Sequence, residues 1–296
     1  VMEKKFQQSN NNSYNYGFTS SAIWMRFQVK SQNSFLNDEW VFFVEYPQLD
    51  SVTFYFPVEQ ENGEEDIYIE KEGGDLFPFS KRDIESRVLT YTVPFEIKKN
   101  PIIYVRIQST SVVHIPIYLS PQRIFHIKDN EPQIIFGVYF GIMFIMGLYN
   151  LFLFLSLKER IYLYYVLTVS FSILYMVSYH GYGFRYFWSE SLYLQSKMIP
   201  LSELIATVCL NLFTIEFLET KKFIPIAHQV LRGLLILSAP VFLLCLILDT
   251  NTPVIILNII TLTYPFILIT CGIIVLFKGN KSARLYLVGW GLAAIV

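Results

Sequence analysis

Two hydrophobic rhythms divide this chain. Between Ser20 and Leu119 apolar residues recur at every second position, in short runs. Ile23, Met25, Phe27 and Val29 alternate with Trp24, Arg26, Gln28 and Lys30, and Trp40, Phe42, Val44 and Tyr46 alternate with Val41, Phe43 and Glu45. Val52, Phe54 and Phe56 repeat the pattern, as do Ile103, Val105 and Ile107, and Val113, Ile115, Ile117 and Leu119 close the series. Successive strand side chains point to opposite faces, so runs of this kind, spaced by Gly, Pro, Asn and Asp, predict an all-β, jelly-roll-like sandwich. Pro116 lies in the last run and predicts an edge strand, because proline has no N–H to give to a ladder. The stretch from Gln60 to Asp66 reads as an exposed acidic hairpin loop, and residues 1–12, with Asn10, Asn11 and Asn12, as a disordered lead-in.

From Gln133 onward the alternation gives way to long apolar stretches. Crossing a bilayer core takes about 20 apolar residues. Stretches of that size run over 133–157, 161–183, 198–218, 230–248 and 254–277, and a sixth begins at 285 and reaches Val296. A span cut short leaves backbone groups unsatisfied in lipid, so the natural chain is expected to continue beyond Val296. The expected organisation is a β-domain over 13–130 followed by an all-α polytopic membrane bundle over 133–296.

Charge sharpens this division. Residues 1–132 hold 13 Lys+Arg and 18 Asp+Glu, whereas residues 133–296 hold 10 and 6. One set of loops carries Lys158, Arg160, Lys221, Lys222, Arg232, Lys278, Lys281 and Arg284, and the alternate loops carry only Arg185 and Lys197. The positive-inside rule puts the first set in the cytoplasm, and hence the β-domain outside, in the bacterial inner membrane. No apolar leader follows Val1, so a signal peptide is expected upstream. The three cysteines, Cys209, Cys245 and Cys271, all fall in spans, so the β-domain folds without disulfides. The four histidines lack metal-ligand spacing, and Gly73-Gly74-Asp75-Leu76-Phe77 lacks the acidic fourth position of a cyclase signature and reads as a tight turn. No catalytic constellation, cofactor, metal or nucleic-acid partner is implied.

The segments SAIWMRFQV (21–29), EYPQLDSVTFY (45–55), GGDLFPFSKR (73–82), IYVRIQS (103–109) and HIPIYL (114–119) resemble the extracellular module of the bacterial seven-transmembrane receptors with diverse intracellular signalling modules. YNLFLFLSLKERIYLYY (149–165) and SYHGYG (178–183) resemble the receptor unit of the same family, with His180 where Asn is commoner. The resemblance implies a sandwich similar to carbohydrate-binding modules, seven helices and a cytoplasmic output domain in the same full-length chain, which could be a kinase, cyclase or phosphatase.

Some polar positions stand out against this frame. Glu203, Thr207, Asn211 and Thr214 share one face of the third span, either as helix-to-helix hydrogen bonding or as a polar switch. Asn150 and His180 are further intramembrane polar candidates; Asn150, with the Gly137/Gly141 pair, suggests close helix approach. Pro200, Pro240 and Pro265 each bend a different span. In the β-domain, Trp24, Arg26, Tyr55, Arg82 and Arg106 are candidate ligand contacts, since aromatic faces stack on sugar rings and arginine forks bind carboxylates. The bland alternative makes Trp24 core and the arginines a sheet cover. The expected function is a receptor that binds an extracytoplasmic carbohydrate or small solute, with the lipid bilayer and a second copy as further partners. A transporter or membrane enzyme with an accessory β-domain is the alternative, and an adhesion or scaffolding protein a third.

Overall fold

The computed structural model describes residues 6–7, 13–19, 21–29, 39–58, 67–94, 101–248 and 251–293. The expected acidic loop at 60–66 and most of the expected lead-in lie outside these residues. The chain forms two compact units, one of residues 1–136 with 177–196 and the other of 137–176 with 197–296.

The first unit is a sandwich of two four-stranded antiparallel sheets. Its strands are β1 (Ser13–Phe18), β2 (Ile23–Gln28), β3 (Trp40–Val44), β4 (Ser51–Val58), β5 (Ile67–Gly73), β6 (Leu89–Thr92), β7 (Ile102–Gln108) and β8 (Val112–Pro121). One sheet has the order β1-β8-β3-β6 and the other β2-β7-β4-β5. The alternating apolar positions meet between them: Met25, Phe42, Val44, Phe54, Phe56, Val105, Ile107 and Ile115 form the core. Tyr91 joins this core because its hydroxyl donates to the Val52 carbonyl at 3.0 Å, which satisfies a polar group that would otherwise be costly to bury.

Pro116 corrects the expected topology: β8 lies inside its sheet, between β1 and β3. The strand tolerates proline there because its two ladders divide at that residue. β1 pairs with Val112 to Pro116, and β3 pairs with Ile117 to Pro121.

Helix α1 (Gln122–Leu157) follows β8 directly and so begins well before the expected start at 133. Its early residue Phe125 is 2 % exposed and packs with Val41, Phe43 and Val88 on the outer face of the first sheet. This contact explains why β3 is buried on both faces. The other helices are α2 (Arg160–Tyr179), α3 (Tyr182–Tyr186), α4 (Leu192–Phe217), α5 (Thr220–Phe223), α6 (Pro225–Ile247), α7 (Asn251–Phe277) and α8 (Ser282–Ala293). Among the described residues, five helices are long and apolar enough to cross a membrane. In the second unit, Leu218, Leu231, Tyr264, Leu268, Cys271 and Tyr286 form one cluster, and Leu204, Val241, Cys245 and Leu257 another.

Candidate ligand face and the polar positions of the bundle

In an antiparallel sheet, residues directly opposite one another share a face. Trp24 stands opposite Arg106, which stands opposite Thr53, which stands opposite Glu72. The next row is Arg26, Tyr104, Tyr55 and Glu70. Core residues Met25, Val105 and Phe54 alternate with these rows, so both rows lie on the outer face of the second sheet.

Four of the five residues expected to contact ligand therefore come together. Trp24 is 43 % exposed and stacks on Tyr55, with ring centroids 5.6 Å apart and planes at 24°. The bland reading of Trp24 as core is thereby overturned. Tyr104 extends the aromatic surface, edge-on to Tyr68 at 6.0 Å and tilted against Phe6 at 6.2 Å. The Arg26 guanidinium lies 5.1 Å from the Phe6 ring centroid, and Arg106 donates to Gln108. Burial and the charge of Glu70 push the Tyr55 phenol up, against the pull of Arg106, which keeps it a neutral donor. The face thus offers flat aromatic surface, arginine donors and the acceptors Glu70 and Glu72 side by side. Tyr104, Tyr68 and Glu70 were not singled out in the sequence; strand pairing is what brings them in.

Arg82 does not belong to this face. It follows the short 3-10 turn Phe79–Lys81 and is inserted between aromatic rings, 4.7 Å from the Phe79 centroid and 5.4 Å from that of Phe184. Its Nη1 donates to the Ser86 carbonyl at 2.7 Å and to that of Arg87 at 3.3 Å. Arg82 is thus a structural cation, with its Nη1 turned to backbone carbonyls and its plane set against two rings.

The polar stripe of α4 is divided among different partners. Thr261 on α7 donates to Glu203 at 2.6 Å. Asn211 donates to the Leu231 carbonyl of α6 at 3.0 Å, and the Thr214 hydroxyl lies 3.0 Å from that of Tyr286 on α8. Thr207 bonds back to its own helix at the Glu203 carbonyl, 2.9 Å away. Lys197, 2 % exposed, donates to the Leu248 carbonyl at the end of α6 at 2.9 Å. A cation there satisfies terminal carbonyls that the helix leaves unpaired.

Asn150 departs from the expected interhelical role: its amide bonds to the Met146 carbonyl one turn back, at 2.9 Å. Around Gly137 and Gly141 a Cβ would meet nothing, so the pair makes no close helix approach among the described residues. His180 lies beyond the end of α2, in the first unit, with its ring 4.2 Å from that of Phe136.

A sandwich of this kind joined to apolar helices of spanning length defines a multi-pass membrane protein with an amino-terminal β-domain. Residues 132–296 match the family model for 7TM diverse intracellular signalling, and residues 1–121 match the 7TMR-DISM extracellular 2 domain. The chain belongs to this family of seven-transmembrane receptors with diverse intracellular signalling, and its β-domain is the extracellular part of a transmembrane signalling receptor. No curated relative matches it.

Proposed function

We propose that this protein is a bacterial inner-membrane receptor whose extracellular sandwich takes a carbohydrate or other small solute on the outer face of the β2-β7-β4-β5 sheet. Ligand preference for one receptor state would pass through the helices to a cytoplasmic output module in the same full-length chain. The observation that carries this reading is the convergence of Trp24, Tyr55, Arg26 and Arg106 on one open sheet face. The stacked Trp24–Tyr55 pair supplies the flat apolar platform, and the two arginines fix polar or carboxylate groups at its border. The α4 stripe belongs to the helix-packing side of the same device, because Asn211 and Thr214 already engage α6 and α8.

The test is intrinsic-fluorescence titration of the full chain in nanodiscs against neutral and uronic-acid oligosaccharides. Binding by the native protein and at least tenfold weaker binding by Trp24→Ala is the expected result. Binding that survives both Trp24→Ala and Arg106→Ala would remove this face from the account.

A further inference from the structure

The outer face of the β2-β7-β4-β5 sheet sorts its charges by strand. Arg26 belongs to β2 and Arg106 to β7, whereas Glu70 and Glu72 belong to the edge strand β5. Arg106 and Glu72 share one row with Thr53 between them, and Arg26 and Glu70 share the next with Tyr104 and Tyr55 between them. Neighbouring strands lie about 4.8 Å apart, so the backbones that carry opposite charges are about 10 Å apart in the first row and about 14 Å in the second. Among the described residues no ion pair joins the two sets. Arg106 donates to Gln108 instead, and the Arg26 guanidinium faces the Phe6 ring.

Strand β5 also holds a cation, Lys71, between the two glutamates. Successive strand side chains point to opposite faces, and Lys71 stands opposite Phe54 of the core. Its ammonium donates to Asp83 and to Thr92. A lysine turned inward on an edge strand guards that edge against pairing with another chain. With Lys71 in that role and engaged by Asp83, Glu70 and Glu72 stand outward and exposed. Neither has a hydrogen bond or an ion pair among the described residues. Tyr68 lies on the same side of β5, opposite Pro57, and Tyr55 stands opposite Glu70. Carboxylates beside aromatic faces suit a cationic amine, which the carboxylate pairs and the ring attracts.

Two glutamates on an edge would by themselves mark nothing. Thr53, between Arg106 and Glu72, supplies a second sign. It is 1 % exposed, and its hydroxyl has no hydrogen-bond partner, so the ground between the two sets of charges holds a buried polar group left unsatisfied. The stacked rings run the same way, from Trp24 on β2 to Tyr55 on β4, the strand next to β5.

We propose that this face takes a zwitterionic sugar chain, one carrying both carboxylates and free amines, with its acid on Arg26 and Arg106 and its amine on Glu70 and Glu72. The inference rests on the sugar-binding reading of the face and adds the requirement for the amine. A purely acidic sugar laid across the rings would meet like charge at β5, and a purely basic one would meet it at β2 and β7. Repulsion at either end therefore selects for a ligand that carries both charges.

The experiment is calorimetric titration of the full chain in nanodiscs of zwitterionic lipid, with empty nanodiscs subtracted. The probes are a tetrasaccharide of alternating glucuronic acid and glucosamine, its N-acetylated form, a glucosamine tetramer, and trialanine. The first carries carboxylates and amines, the second only carboxylates and the third only amines; the peptide carries both charges without sugar rings. The native protein should bind the first at least about tenfold more tightly than any of the others. Glu70→Gln combined with Glu72→Gln should remove that preference while leaving affinity for the N-acetylated form unchanged, which also shows that the face is intact. The proposal is overturned if the N-acetylated form binds the native protein as tightly as the first probe. It is overturned too if the paired variant keeps the preference or loses both probes alike, or if trialanine matches the tetrasaccharide. When such a failure comes with sugar binding that still needs Trp24, only the amine requirement falls. Native protein that binds none of the sugars, or binding undiminished in Trp24→Ala, brings down the sugar reading of the face as well.

Discussion

The two outer faces of the sandwich meet opposite fates. On the β1-β8-β3-β6 sheet, Val41 and Phe43 are covered by Phe125 of α1, whose ring lies 4.9 Å from that of Phe43. On the β2-β7-β4-β5 sheet, Trp24 keeps its ring at the surface, with Arg26, Arg106 and Glu70 on the same face. Both faces are rich in aromatic side chains, so composition does not separate them. The difference is a neighbour: one sheet runs straight into a helix whose Phe125 seals it, and on the other, among the described residues, Phe6 reaches Tyr104 and Arg26 while Trp24 stays exposed. A covered aromatic contributes stability, whereas an uncovered one supported by arginine is available for recognition.

Substitutions should separate these roles. Phe125→Ala removes the ring that seals the covered face and should cost about 3–5 kcal/mol, read as a lower unfolding midpoint of the full chain in denaturant. A cost below about 1 kcal/mol would mean that α1 is not what closes that sheet. Trp24→Ala on the open face should lower stability by no more than about 1.5 kcal/mol, the loss of one stacked pair, while abolishing oligosaccharide binding. A large stability loss there would make Trp24 a core residue in function.

The bundle extends the comparison to polar groups. Asn211→Leu removes a hydrogen bond between α4 and α6 and should cost about 0.6 kcal/mol, with roughly 1.7 as the ceiling for such bonds. Glu203→Gln keeps an acceptor for Thr261 and should be nearly silent in stability. Output per folded receptor then decides its role: a change in Glu203→Gln makes Glu203 a switch, and no change leaves the α4 stripe as helix packing. The smallest perturbation comes from single cysteines for labelling. Tyr186→Cys should react with an impermeant thiol reagent on intact cells, and Glu159→Cys should not. The reverse pattern would invert the receptor and move both sheet faces to the cytoplasm.

Much of this arrangement was readable residue by residue. Parity alone put Trp24 and Arg26 on one face of β2, and it put Phe54 and Phe56 together in the core. Length and apolarity marked the spans, because the bilayer imposes a requirement that each helix meets by itself. Strand β5 was harder to see, since an edge strand such as Ile67–Gly73 carries Glu70, Lys71 and Glu72, charges that guard an edge and blur the alternation. β1 does alternate, with Tyr14, Tyr16 and Phe18 between Ser13, Asn15 and Gly17, but it lies ahead of the runs that marked the sandwich.

Other outcomes required the folded chain. Asp75 looked like one residue of a turn, and nothing local announces that Gln195, far along the sequence, will donate to it. Arg82 had the same chemistry as Arg26 and Arg106, yet Phe79 and Phe184 enclose it while the other two line the open sheet. Pro116 sits inside a sheet because β1 and β3 divide β8 between them, a matter of pairing between distant segments. The sequence by itself determined the elements and their inward faces, because periodicity reports each residue's own neighbours along the backbone. Which outer face is covered, which arginine is enclosed and which carboxyl takes the Gln195 amide were decided by tertiary structure, because each depends on a partner brought from elsewhere in the chain.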